Sequence, residues 1–129
     1  MSTALESQLQ KATKEYQRLE TDLSNAIEAR QRLDVQLTEN EQVQKEFLSL
    51  TSDNEVFKLI GPVLVKQDQG EAKSNVEKRL EYIRNEISRL EVQLKDLNSK
   101  QERKRLELVN LQGQIESNQH STSGAIPAQ

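Results

Sequence analysis

Across 129 residues, glycine occurs only at positions 61, 70, 113 and 124, and proline only at 62 and 127. Residues 1–60 and 71–112 therefore contain neither. Gly and Pro destabilise a helix interior by about 1 and 3 kcal/mol relative to Ala, so this distribution favours two long helices with one short break between them. A single compact domain would be the expectation from length alone. Its core would need aromatic side chains, and only Tyr16, Phe47, Phe57 and Tyr82 are present. Arms rich in Ala, Leu, Glu, Lys, Gln and Arg read instead as a coiled coil.

The apolar spacing supports that reading. Alternate steps of four and three from Leu5 meet Leu9, Ala12, Tyr16, Leu19, Leu23, Ala26, Arg30, Leu33, Leu37, Asn40, Gln44 and Phe47, and ten of these 13 positions are apolar. The second arm repeats the rule through Val76, Leu80, Ile83, Ile87, Leu90, Leu94, Leu97, Gln101, Lys104, Leu108, Leu111 and Ile115, with ten of 12 apolar. Thr3 with Glu6 and Ser74 with Glu77 have capping-box spacing at the two helix starts. The polar seam residues Arg30, Asn40, Gln101 and Lys104 are expected to fix register. Residues 1–50 thus form a first coiled-coil helix and 73–116 a second, and the small polar residues of 117–129 read as a disordered tail.

The connector, residues 51–72, differs in composition. Thr51-Ser52-Asp53-Asn54 ends a helix, and apolar β-branched runs at Val56–Ile60 and Val63–Lys66 flank Gly61-Pro62, which predicts a two-stranded hairpin. Gln67-Asp68-Gln69-Gly70 turns the chain into the second helix. The arms have 46 and 44 residues between positions 5–50 and 73–116. At ~1.5 Å per residue they would span roughly 69 and 66 Å, as equal arms of an antiparallel pair. Residues 1–50 carry six basic and nine acidic side chains, net −3, and residues 73–129 ten basic and eight acidic, net +2, so the arms attract weakly. Surface pairs such as Glu91 with Lys95 are expected to add slightly to this.

An isolated hairpin is marginal in water, yet this one concentrates Val56, Phe57, Leu59, Ile60, Val63, Leu64 and Val65 in ten residues. Its strands could fold back on Phe47, Leu48 and Leu50, but three side chains cannot cover both faces of a ribbon. Pairing with hairpins of other chains is favoured, and it would give a β-rich assembly from which coiled coils project.

Other classes are excluded or disfavoured. Without cysteine there is no disulfide framework, thiolate metal site or thiol nucleophile. The start Met1-Ser2-Thr3 lacks a signal-peptide pattern and no apolar run approaches ~18 residues, so a soluble cytoplasmic protein is expected. A net charge of −3 gives no general attraction to nucleic acid or to an anionic membrane. His120 stands in a polar stretch, and carboxylate pairs such as Glu39 with Glu41 have no apolar setting to shift them. The basic run Lys100–Arg105 has no interleaved aromatic residue and reads as a solvated helix face. No enzyme activity, metal or cofactor is expected.

Glu55-Val56-Phe57-Lys58-Leu59-Ile60-Gly61-Pro62-Val63-Leu64-Val65 resembles the central segment of beta-type prefoldin subunits. Arg79-Leu80-Glu81-Tyr82-Ile83 with Glu86-Ile87 is similar to the start of their second helix. The resemblance covers about residues 5–116, and its specific part is the 55–83 block. It implies a long antiparallel two-helix coiled coil joined by one β-hairpin, a mainly α fold. It also implies a cytosolic hexamer of alpha-type and beta-type subunits whose hairpins, here Val56–Val65 with Gly61 and Pro62, build a double-barrel base. The coiled-coil tips of that family hold non-native chains such as nascent actin and tubulin and pass them to the cytosolic chaperonin without ATP. At the tip of an antiparallel pair, Leu5, Leu9, Leu106, Val109 and Leu111 are the candidates for partly exposed client-binding surface. A structural coiled-coil tether or adaptor explains the heptads equally well but not the apolar hairpin.

Overall fold

A computed structural model describes residues 2–124. Its elements are α1 (Ser2–Leu48), β1 (Val56–Ile60), β2 (Val63–Gln67) and α2 (Gln69–Gly124). Two long helices with one antiparallel hairpin between them in sequence are thus the fold that the breaker positions predict. The chain forms two compact units, one from residues up to Ile27 together with those from Val92 onward, the other Glu28–Glu91.

In the first unit the two helix segments run antiparallel. Glu15 meets Lys104, while the earlier residue Leu5 shares a groove with the later Val109, Gly113 and Ser117. Ala12, Ala26, Leu97 and Leu111 are buried between the segments, and the remaining apolar seam residues of this unit are half-buried. In the second unit Arg30 donates to Glu91 at 2.7 Å and Arg79 donates to Asn40 at 3.3 Å. Ten residues forward on α1 thus correspond to 12 back on α2, so these segments are antiparallel too. The core here comes mainly from α2, with Ala72, Val76, Leu80, Ile83, Ile87 and Leu90 buried and Leu80 wholly inaccessible. Burying one such Leu or Ile contributes about 1.5–3 kcal/mol.

Every heptad position read from the sequence is buried or half-buried. Three of the four polar seam residues expected to fix register bond across the seam: Arg30 to Glu91, Asn40 to Arg79 and Lys104 to Glu15. Each such bond satisfies its partner only in one alignment, which is how a polar seam residue specifies register. Gln101 is half-buried. Glu91, expected to pair with Lys95, instead meets Arg30 of the facing helix.

Helix α1 stops where the polar cluster begins. Ser49 and Leu50 donate back to the carbonyls of Glu46 and Phe47, and Thr51 and Asn54 close a turn in which the Thr51 N–H donates to Asn54 Oδ1 at 2.7 Å. The hairpin pairs Ile60 with Val63, leaving Gly61 and Pro62 as a two-residue loop. Gly61 has φ +58 and the proline ring holds φ near −65°, the sign pattern of a type II′ turn, whose first loop position favours glycine. A β-carbon at Gly61 would meet nothing within 4 Å, so conformation and not space requires glycine there.

Two boundaries of α2 differ from expectation. The helix begins at Gln69 and not at 73, because Asp68 is the cap: its Oδ2 accepts the Glu71 N–H at 2.9 Å and its carbonyl accepts from Ala72 at 2.9 Å. Ser74 and Glu77 therefore lie inside the helix. At the other end α2 continues to Gly124, so residues 117–124, expected as tail, are helical. A helix already nucleated adds one backbone hydrogen bond for each residue it fixes and needs no apolar stripe to continue. Residues 125–129 of the expected tail lie outside the described residues.

Candidate assembly surface and helix tip

Directly paired residues of a hairpin share a face. The register therefore places Phe57, Leu59, Leu64 and Lys66 on one face and Val56, Lys58, Ile60, Val63, Val65 and Gln67 on the other. Both faces are predominantly apolar and both are open: Leu59 is 66% and Leu64 64% exposed on the first, Ile60 56% and Val63 57% on the second. Fold-back onto Phe47, Leu48 and Leu50 does not cover them, and Leu48 is itself exposed. As the sheet has only two strands, each also keeps an outer edge of unpaired backbone groups. Val56 is half-buried at the strand base. There a cleft of about 330 Å³ lies among Phe47 of α1, strand β1 and Arg79 of α2. This cleft was not legible in the sequence; its one trace there is Lys58, a lone cation in an apolar strand.

The tip candidates separate into three kinds. Leu106 and Val109 are 53% and 56% exposed, and Leu5 and Leu9 are half-buried. Leu111 is only 6% exposed, so it is not client-facing surface: it occupies a seam position and packs inward. Leu5 and Val109 line one shallow groove with Gly113, which Leu106 does not share.

The electrostatics around the tip are compensated in place. Within the basic run, Lys100 pairs with Asp96 at 3.0 Å, Lys104 with Glu15 and Glu107, and Arg105 with Glu102 at 2.7 Å. Hydrogen bonding from Lys104 holds the Glu15 carboxyl below its usual range, and Arg105 does the same to Glu102. Glu107 first, then Glu15, raise the Lys104 ammonium. The run is therefore a salt-bridged helix face, as its composition suggested. Among the described residues no group of three or more His, Asp or Glu is placed to hold a metal ion, and no helix is long and apolar enough to cross a membrane.

Two long helices flanking a single hairpin with open faces define the class: a coiled-coil chain joined by one β-hairpin. The chain matches the family model of the prefoldin subunit over residues 5–115. It is 46% identical over 125 residues to prefoldin subunit 6 of Bos taurus, covering 97% of each chain. To prefoldin subunit 6 of Arabidopsis thaliana it is 41% identical over 113 residues, covering 88% of each. Among solved structures it is similar to the prefoldin beta subunit from Thermococcus strain KS-1, with a TM-score of 0.65, 27% identity and coverage of 86% of this chain and 91% of that one. The chain belongs to the prefoldin subunit family.

Proposed function

We propose that this chain is a beta-type subunit of a cytoplasmic hexameric holding chaperone, built with alpha-type and other beta-type subunits. In this reading Val56–Val65 enters a β-structure shared between subunits, and the helix ends near Leu5 and Val109 hold non-native polypeptides such as actin and tubulin for delivery to the cytosolic chaperonin. The observation that carries the reading is the hairpin, apolar on both faces and open on both, with no other sheet among the described residues to cover it. Exposed apolar surface of this kind marks an interaction site, and unpaired strand edges are templates for further strands. A tether would need the seam alone.

Holding without ATP fits weak, non-directional contacts at several tips, whose joint occupancy supplies avidity while each contact can release. The test is reconstitution with alpha-type and sister beta-type subunits. The expected result is a native mass of six subunits that suppresses aggregation of diluted, denatured actin without nucleotide. A stable parallel dimer of this chain that ignores those partners overturns the reading in favour of a tether.

A further inference from the structure

On the hairpin side, the cleft at its base is lined by Val56, Phe57, Lys58 and Leu59 of β1 and by Gln67 of β2. Val56, Lys58 and Gln67 share one face, so the cleft lies against that face at the strand base and runs along β1, an edge strand of the two-stranded sheet. The outer edge of β1 has no partner strand among the described residues. The cleft walls combine apolar side chains with two cations, Lys58 and Arg79, and no carboxylate lines it. Among the described residues Lys58 has no ion pair or side-chain hydrogen bond, whereas Lys66 on the other face is paired with Glu55 at 3.3 Å. Among the described residues Arg79 bonds only the neutral amide of Asn40.

We propose that this edge selects an extended segment of a different subunit that carries a carboxylate beside an apolar side chain. The inference rests on the reading that the chain assembles through its hairpin, and it specifies which strand that hairpin takes. Backbone groups of β1 pair with the incoming strand, its apolar side chain fills the cleft against Phe47 and Phe57, and its carboxylate meets Lys58 and Arg79. Covering Lys58 without an acid would bury an unpaired ammonium, which a complementary charge avoids. A second copy of this chain is the wrong occupant. The only charged residues of its strands are Lys58 and Lys66, so lysine would be brought toward lysine, a built-in bias toward mixed assembly.

The experiment reconstitutes the full-length chain with its partner subunits, reads native mass, and treats the complex with a zero-length carbodiimide that joins amines to carboxylates in contact. Isolated variants are first checked for unchanged helicity by circular dichroism. Expected are a crosslink from Lys58 to an acidic residue of a neighbouring subunit, its loss without loss of assembly in Lys58→Arg, and at least a tenfold fall in incorporation of Lys58→Glu. The inference is overturned if Lys58→Glu incorporates like the unmodified chain, if no such crosslink forms, or if the substitution only promotes self-association, which would make Lys58 a guard against edge pairing. Leu59→Asp separates the two levels: normal assembly of this variant removes the hairpin reading itself, whereas its failure beside normal assembly of Lys58→Glu removes only the choice of strand.

Discussion

Glu15 on α1 and Lys104 on α2, 89 residues apart in the chain, form an ion pair across the seam, and Lys104 adds a second bond to Glu107 at 2.8 Å. The folded state lowers the Glu15 pKa, chiefly through the hydrogen bond from Lys104. A lowered carboxylate pKa gives stability that is present above the unfolded value, about 4.3, and lost as pH falls through the folded value. The Lys104 pKa is raised, chiefly by Glu107 and then Glu15. Its contribution is present below the unfolded value, about 10.4, and is lost as pH rises through the folded value. The stability difference between the chain and Lys104→Met, followed by urea unfolding and circular dichroism, should be flat from about pH 5 to 9 and move in favour of the variant outside that window. A difference independent of pH from 3 to 11 would show that the pair contributes nothing.

The cap of α2 yields a paired prediction. Asp68 satisfies a backbone donor of the first turn, so Asp68→Ala should cost about 1 kcal/mol, within the usual 0.5–2 of a lost cap. Ser74 lies six residues further in, where alanine is the better helix former, so Ser74→Ala should be neutral or slightly stabilising. If unfolding midpoints rank the two variants the other way, the cap is at Ser74 after all.

The helix pair of the second unit should be most sensitive at Leu80. Its side chain is fully buried, and Leu80→Ala should destabilise by about 2–5 kcal/mol through lost burial and the cavity left behind. Tyr82, two residues on and 64% exposed, should tolerate alanine to within about 0.5 kcal/mol. Denaturant midpoints at constant m-value measure both.

These contrasts explain what the sequence could and could not disclose. Heptad positions were legible because burial in a two-helix seam repeats every 3.5 residues, and even Arg30, Asn40 and Lys104 kept that phase by bonding across it. The strands and the Gly61-Pro62 loop were legible because turn chemistry is local. The start of α2 was misread because Gly70 looks like a breaker, whereas Asp68 supplies a cap strong enough to begin the helix just before it. Its C-terminal stretch was misread because helix propagation through 117–124 leaves no hydrophobic signature. Leu111 and Val109 differ in role only by their position relative to the seam, which decides that one is core and the other surface. The cleft with Lys58 and Arg79 joins residues from separate elements, a juxtaposition that no single motif encodes.

The tip reading now rests on Leu106 and Val109, which stand more than half exposed where the seam does not need them. Replacing both with Ser removes apolar surface without opening the core. If clients are held there, each lost contact forfeits on the order of 1 kcal/mol, from partial burial of a side chain worth about 1.5–3 kcal/mol in full. If several tips grip one client chain, loss at this subunit should weaken suppression of client aggregation about threefold to tenfold and not abolish it. Native mass should stay that of the complete assembly, since neither residue belongs to the hairpin. Leu111→Ser should behave differently, loosening the helix pair of the first unit and increasing hydrogen exchange there, because it removes a buried seam residue. Undiminished holding by the double variant in an intact complex would show that Leu106 and Val109 are incidental surface and that clients bind elsewhere.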